Sequence, residues 1–149
     1  MIINDILDFS KIEANKYGKL GSLRFNGARV LIVDDNMVNL LVASEILKTY
    51  DIEPETATSG DEAIEKITGA RYDLVFMDHM MPGMDGIEVT AAIRAMDISQ
   101  PVIIALTANA MLGMEEIYRE NGFDGYITKP IDMDNLNAVL EKWLGGTTP

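Results

Sequence analysis

The feature that most constrains the fold is a set of short apolar runs, each of which ends in polar residues. The first run spans 30–33, is rich in β-branched residues and is followed at once by Asp34 and Asp35. A run that is apolar at every position, without alternation, is typical of a strand buried on both faces. Such strands belong to parallel sheets with helices on both sides. The run therefore predicts an α/β domain.

Strand and helix patterns alternate along the rest of the chain. Four further strands are predicted at 52–58, 73–77, 101–106 and 125–127, the first of them weakly. Helices are predicted at 39–50, from 59 onward, from 85 to 93, at 111–121 and before the C-terminus. Ser59 with Glu62, and Asp85 with Glu88, have the spacing of a capping box. Five βα units predict an open sheet whose ligand crevice lies beyond the carboxyl ends of the strands.

Apolar residues at helical spacing predict which helix faces pack on the sheet. In the first helix the stripe contains Val38, Leu41, Val42 and Ile46, widened by Leu40 and Leu47. In the second helix it contains Ala63, Ile64 and Ile67. In the last helix it contains Leu136, Val139, Leu140 and Trp143. We expect these side chains to face inward.

The composition argues against several classes of partner. There are 24 acidic and 12 basic side chains, for a net charge of −12. Such a surface repels nucleic-acid phosphates and anionic membranes. The chain has no cysteine, which excludes disulfides and thiolate metal sites and fits a cytoplasmic location. Since no apolar run approaches the roughly 18 residues that span a bilayer, we expect no nucleic acid and no direct membrane contact.

Polar side chains at the predicted strand ends indicate one site. Asp34 and Asp35 follow the first strand, Asp78 the third, Thr107 the fourth and Lys129 the fifth. Three close carboxylates repel one another, so they take up protons or a cation. Oxygen ligands without histidine or cysteine suit Mg²⁺, with Mn²⁺ as the alternative. Together with an ammonium and a hydroxyl group, they suit transfer of a phosphoryl group onto a carboxylate oxygen.

Four motifs contain these residues, and each follows a predicted strand. They are Val33-Asp34-Asp35-Asn36, Met77-Asp78 with Met81-Pro82-Gly83-Met84-Asp85-Gly86, Leu106-Thr107-Ala108, and Lys129-Pro130. Each motif is weak alone, but the ordered set is highly specific. From about residue 29 to 144 the chain resembles the receiver domains of two-component response regulators and hybrid histidine kinases. The resemblance implies a flavodoxin-like, doubly wound (βα)5 fold with strand order 2-1-3-4-5.

The resemblance also implies roles at the acceptor site. Asp78 would accept a phosphoryl group from the phosphohistidine of a partner, which would be a histidine kinase or a histidine phosphotransfer domain. Asp35 and the Met80 backbone carbonyl would bind Mg²⁺ alongside Asp78. Asp34 would contact the cation mainly through water. In this reading the receiver promotes its own aspartyl phosphorylation and dephosphorylation.

Further roles concern the response to phosphorylation. Thr107 would turn toward the phosphoryl group, and Tyr126 would change rotamer with it. The change would spread over the face of the fourth helix, the fifth strand and the fifth helix. Lys129 would hold the phosphate, and its peptide bond to Pro130 is expected to be cis, which is a minority state that a turn must hold.

The first 25 residues are predicted to be separate from a receiver at 26–149. They carry a net charge of +1, against −13 for the remainder. An apolar helical stripe contains Ile2, Ile3, Ile6, Leu7, Phe9 and Ile12. The run 3–14 resembles the end of a histidine-kinase dimerisation helix, although the phospho-accepting histidine and the ATP-binding domain expected beside it are missing. We therefore expect a kinase-like helical remnant, or else a disordered leader, and no kinase or output domain.

Plainer readings and other functions stay open. The aspartates after the first strand can cap the next helix. His79 is expected to be a loop residue without a chemical role, because alternation points it away from Asp78. An aspartyl-phosphate phosphatase would need a second acid where this chain has Met80. A receiver fold can also act as a non-catalytic interaction module. A homodimer is allowed, and the protein would be free in the cytoplasm or tethered to the membrane through a parent kinase.

Overall fold

Five strands alternate with five helices in the computed structural model, which describes residue 25 and residues 27–108, 114–129 and 131–144. The strands are β1 (Val30–Val33), β2 (Glu55–Ala57), β3 (Leu74–Asp78), β4 (Val102–Thr107) and β5 (Gly125–Thr128). The helices are α1 (Met37–Lys48), α2 (Gly60–Gly69), α3 (Gly86–Arg94), α4 (Met114–Glu120) and α5 (Met133–Leu144). The predicted helical segment at the N-terminus lies outside the described residues.

All neighbouring strands pair in parallel, in the order β2-β1-β3-β4-β5. The predicted fold class and strand order are therefore confirmed. The pairs at or near the carboxyl edge are Val33 with Met77, Asp78 with Leu106, and Thr107 with Thr128. This register brings the polar residues that end or follow β1, β3, β4 and β5 to one edge of the sheet.

The strands serve two separate cores, one on each face of the sheet. Successive side chains of a strand point to opposite faces, so Val30 and Ile32 pack with α1 and α5. Leu31 and Val33 pack instead with α2, α3 and α4. All four are at most 1% exposed. Burial on both faces explains why this run lacks polar alternation.

The apolar face predicted for α1 is partly wrong. Leu40 and Leu47 are buried, but Val38, Leu41 and Val42 are 66%, 62% and 46% exposed. The buried side continues through Ala43, which fits the spacing of three and four residues along a helix. Because α1 is apolar on nearly all sides, spacing alone cannot choose the face that packs on the sheet.

The two predicted capping boxes have different outcomes. At the start of α3, the Asp85 side chain accepts from the Glu88 N–H and the Glu88 side chain accepts from the Asp85 N–H, which is the complete box. At the start of α2, Ser59 accepts from the Glu62 N–H as predicted. The Glu62 carboxylate, however, accepts from the N–H and hydroxyl of Thr58. The reciprocal hydrogen bond of this second box therefore comes from Thr58, one residue before the N-cap Ser59.

Phe25, the last residue of the predicted leader, is 2% exposed and packs in the core beside Tyr50. Its N–H donates to the Tyr50 carbonyl at 3.1 Å. The packed domain thus includes at least this residue, while the boundary at 25/26 stays a prediction. Within the described ranges, no helix has the length and apolar character that crossing a membrane requires.

A buried hydroxyl on α3 provides a test of the packing. Thr90 is 0% exposed, and its Oγ1 has no hydrogen-bond partner among the described residues. Thr90→Val keeps the shape and removes the unpaired group, so it should raise the free energy of unfolding by about 1 kcal/mol, measured by urea denaturation. Thr68→Val is the matched control, since the Thr68 hydroxyl donates to the Ile64 carbonyl. A loss of stability in Thr90→Val, or an equal gain in the control, would contradict the expectation.

Candidate functional site

Asp34 is the first residue after β1, and its carboxylate is buried but well supplied with donors. It is 1% exposed. One carboxylate oxygen accepts from the Asn36 N–H at 2.9 Å. The other accepts from the Asn39 side chain at 3.2 Å and lies 3.2 Å from the Lys129 ammonium. These donors offset the loss of water around a buried charge.

The cap of α1 is Asn36, whose side chain accepts from the N–H groups of Val38 and Asn39. Asp34 is thereby free of a capping role and turns into the site. Sequence reasoning missed the capping role of Asn36, because it started this helix two residues late, and it also missed the contact of Asn39 with Asp34. The signal that could have found the cap is the preference of asparagine for helix N-caps. No such signal indicates the hydrogen bond from Asn39 to Asp34.

Asp78 is the last residue of β3 and is 3% exposed. One of its carboxylate oxygens lies 3.0 Å from the Lys129 ammonium and 3.3 Å from the Met80 N–H. Burial is the largest influence on its pKa, and the charge on Asp34 acts in the same direction, while Lys129 opposes both. The net result raises the pKa of Asp78 to about 6. The carboxylate is therefore held in its charged form at a cost.

Lys129 directly follows β5, and its ammonium bridges the two buried carboxylates. Its backbone N–H donates to the Thr107 carbonyl at 2.7 Å, which anchors the residue to β4. Burial lowers the pKa of Lys129, but its hydrogen bonds and attraction to Asp78 and Asp34 outweigh burial and raise it. The ammonium therefore remains protonated at neutral pH.

Asp35 completes a cluster of three carboxylates. An oxygen of each of Asp34, Asp35 and Asp78 lies within 4.8 Å of the others. Asp35 is exposed, so the cluster opens to solvent on its side. A hard, all-oxygen donor set of this kind fits Mg²⁺. Met80, the further predicted ligand through its carbonyl, follows in the loop and is 71% exposed.

The two predicted switch residues lie at different distances from the carboxyl edge of the sheet. Thr107, 5% exposed, ends β4 at the site edge. Tyr126 on β5 pairs with Ala105, two residues before that end, and is 37% exposed. Pro130 lies outside the described residues, and the predicted cis bond lies there with it.

His79 turns to the other side of β3, as alternation predicts. Its Nδ1 is hydrogen bonded with the Tyr118 hydroxyl of α4 at 3.0 Å, and the two rings meet edge to face. Sequence reasoning missed Tyr118, because nothing in the local pattern indicates a contact across 39 positions.

Residues 30–141 match the sequence model of the response regulator receiver domain. This chain belongs to that family. The sensor histidine kinase GacS of Pseudomonas protegens is 39% identical to the receiver over 128 residues, in an alignment that covers 83% of this chain and 14% of GacS. The chain thus spans a small part of that relative's length. Hybrid histidine kinases are among the relatives, as the sequence motifs predicted.

Two solved structures share the receiver fold. The receiver domain of sensor histidine kinase PA1611 from Pseudomonas aeruginosa is 34% identical, with a TM-score of 0.73, and covers 80% of this chain and 98% of its own. That structure has a magnesium ion coordinated in its active-site cleft. The second is the receiver domain of Ssk1 in complex with the histidine phosphotransfer protein Ypd1, from Saccharomyces cerevisiae. It has 26% identity and a TM-score of 0.75, and covers 84% of this chain and 94% of its own.

The raised pKa of Asp78 leads to a stability prediction for the metal-free receiver. Its ordinary pKa is 3.8 and its folded pKa about 6. Between these values the unfolded chain releases a proton that the folded chain keeps, so stability falls as pH rises through this window. Asp78→Asn removes the cost and should raise the free energy of unfolding at pH 7.5 by on the order of 1–3 kcal/mol.

Chemical denaturation across pH measures this effect. The advantage of Asp78→Asn should shrink as the pH is lowered and vanish below about pH 4, where both states bind the proton. Asp97→Asn is the matched control, because Asp97 is exposed and its substitution should change stability little at any pH. An Asp78→Asn protein that is less stable near pH 7.5 would contradict the account.

Proposed function

We propose that this receiver accepts a phosphoryl group from the phosphohistidine of a partner onto Asp78, in a Mg²⁺-dependent reaction within a phosphorelay. The observation that carries the proposal is the surroundings of Asp78. Its buried carboxylate contacts the ammonium of Lys129 and lies beside the carboxylates of Asp34 and Asp35. A nucleophile, a fixed cation and a set of cation ligands thus occupy one small space.

The cation would be held by Asp35, Asp78 and the carbonyl of Met80. Asp34 already has three donors around its carboxylate, so its contact with the cation would run mainly through water. When bound, Mg²⁺ offsets the negative charge on the phosphoryl oxygens. Support comes from the donor set itself and from the magnesium ion in the PA1611 receiver.

The chemistry needs little beyond position and charge. A carboxylate oxygen of Asp78 forms the O–P bond while the N–P bond of the phosphohistidine breaks. The electron pair of the broken bond returns to the imidazole of the partner, which then takes up a proton. Lys129 moves with its positive charge from the carboxylate toward the phosphoryl oxygens, and Thr107 donates its hydroxyl hydrogen to them.

The partner would be a histidine kinase or a histidine phosphotransfer domain, and the Ypd1–Ssk1 complex is an example of the second kind. We place the encounter in the cytoplasm. The response to phosphorylation would pass through Thr107 and Tyr126 to the face of α4, β5 and α5. A second copy of the chain could dock on this face.

The partner would dock on the exposed apolar side chains of α1. Met37, Val38 and Leu41 are more than 60% exposed, and residues four apart on a helix are neighbours on its surface. Val42 joins this surface to the site, because it lines a cavity of about 100 Å³ together with Asp34 and Lys129. A partner covering α1 would therefore have its phosphohistidine close to Asp78.

Mass measurement tests the acceptor. Incubation with Mg²⁺ and a small phosphodonor should add one phosphoryl group, and chelation of Mg²⁺ should prevent the addition. Asp78→Asn should abolish it, because the amide is a poor nucleophile. Asp97→Asn is the matched control and should react as the unsubstituted chain does. No reaction of the intact chain would exclude the proposal, and unchanged partner binding would then favour the non-catalytic interaction module.

Leu41→Glu tests the docking surface. It should slow phosphoryl transfer from a phosphorylated histidine phosphotransfer protein at least tenfold, because a charge would be buried in an apolar contact. Phosphorylation by a small phosphodonor should stay unchanged. Ile117→Glu provides the control, since Ile117 is 41% exposed on α4. Equal transfer rates for Leu41→Glu and the unsubstituted chain would show that the partner docks elsewhere.

A further inference from the structure

We propose that Tyr118 is a positioning residue for the acceptor site, which it serves by holding His79 through the hydrogen bond between their side chains. The inference rests on the proposed function. The contacts of Tyr118 are with His79 and two further aromatic rings, and its effect on the carboxylates would run through the backbone of β3 and the loop that follows.

His79 stands between two groups that the reaction needs. It follows Asp78, the acceptor, and precedes Met80, whose carbonyl would bind the cation. Its backbone is held on both sides: its N–H donates to the Leu106 carbonyl at 3.0 Å, and its carbonyl accepts from the Gly86 N–H at 2.9 Å. The side chain supplies a third attachment, the hydrogen bond to Tyr118 on α4. Rotation of this residue would displace its neighbours on both sides.

Tyr118 is well placed to hold the ring of His79. It is 1% exposed, and its ring packs against three other rings. The centroid distances are 5.4 Å to His79, 5.3 Å to Phe123 and 5.9 Å to Tyr126. A hydrogen bond in such an apolar setting is strong, and a buried hydroxyl deprived of its partner is costly. The bond therefore favours one position of His79.

The ring contact with Tyr126 gives the hydrogen bond a second consequence. Tyr126 lies on the face that would respond to phosphorylation. Tyr118 contacts both Tyr126 and His79, and therefore connects this face to the residue beside the acceptor. Coupling between two sites is reciprocal. A change at Tyr126 would alter the geometry of the acceptor, and occupation of the acceptor site would alter the setting of Tyr126.

Tyr118→Phe tests the inference, because it keeps the ring and removes the hydroxyl. We expect Mg²⁺ to bind about threefold to tenfold more weakly, the range that corresponds to loss of one hydrogen bond. The Mg²⁺ titration is followed by amide NMR shifts. His79 is the only histidine in the sequence, so in a chain without a histidine tag its imidazole nitrogen shifts report directly on the lost bond. Phosphorylation by a small phosphodonor should be slower at low Mg²⁺ and recover at saturating Mg²⁺.

Tyr72→Phe is the matched control for loss of a buried tyrosine hydroxyl. Tyr72 is 3% exposed, and its hydroxyl donates to Glu55 at 2.7 Å. Because Tyr72 precedes β3, it lies at the end of that strand opposite to Asp78. This variant should bind Mg²⁺ and react as the unsubstituted chain does. Equal weakening in Tyr72→Phe and Tyr118→Phe would reduce the role of Tyr118 to general stability and overturn the inference.

His79→Leu removes the same bond from the other side and decides the matter should Tyr118→Phe fail to fold. It should weaken Mg²⁺ binding to a similar degree, and the double variant should be no weaker than either single one. If His79→Leu binds Mg²⁺ as tightly as the unsubstituted chain does, or if the two substitutions have additive effects in the double variant, the proposed role of Tyr118 is overturned while the proposed function stands. An unsubstituted chain that takes no phosphoryl group would overturn the proposed function and this inference with it.

Discussion

The placement of one ammonium group between two buried carboxylates is the interaction on which the site depends. Lys129 lies 3.2 Å from Asp34 and 3.0 Å from Asp78. It offsets only part of the charge, because Asp35 adds a third carboxylate within 4.8 Å. The site is therefore left with excess negative charge. Burial, and after it the charge on Asp34, raises the pKa of Asp78 to about 6 against the opposing effect of Lys129. Such a site favours whatever brings positive charge, which is the physical reason that a divalent cation suits it.

The rest of the fold offsets the loss of stability that this arrangement causes. Bringing three carboxylates together at one sheet edge is unfavourable by itself. Two apolar cores, one on each face of the sheet, hold the strand ends at a fixed spacing. Backbone hydrogen bonds reinforce that spacing at the edge, as between the Lys129 N–H and the Thr107 carbonyl. The rigid sheet can therefore keep repelling groups together. Functional sites commonly reduce the stability of a protein in this way.

The sequence predicted the strands and the polar strand ends well, for a physical reason. Strands β1, β3 and β4 are buried on both faces, so their runs are apolar up to the polar residue that ends or follows each one, and they are easy to recognise. The face of α1 was predicted less well. Leu41 is as apolar as Leu40, yet it is 62% exposed while Leu40 is 3% exposed. The local sequence pattern allows either leucine to face the core, and only the packing of α1 against the sheet decides that Leu40 does.

The sequence by itself determined the βα alternation and the polar residues that end or follow β1, β3, β4 and β5. Because parallel strands end at one edge, this was enough to bring Asp34, Asp78 and Lys129 together. Only the tertiary structure decided how each group is held: that Asn39 donates to Asp34, and that Tyr118 is paired with His79. The second contact joins residues 39 positions apart. It depends on how α4 packs against β3, and the spacing of residues within one element contains no information about that packing.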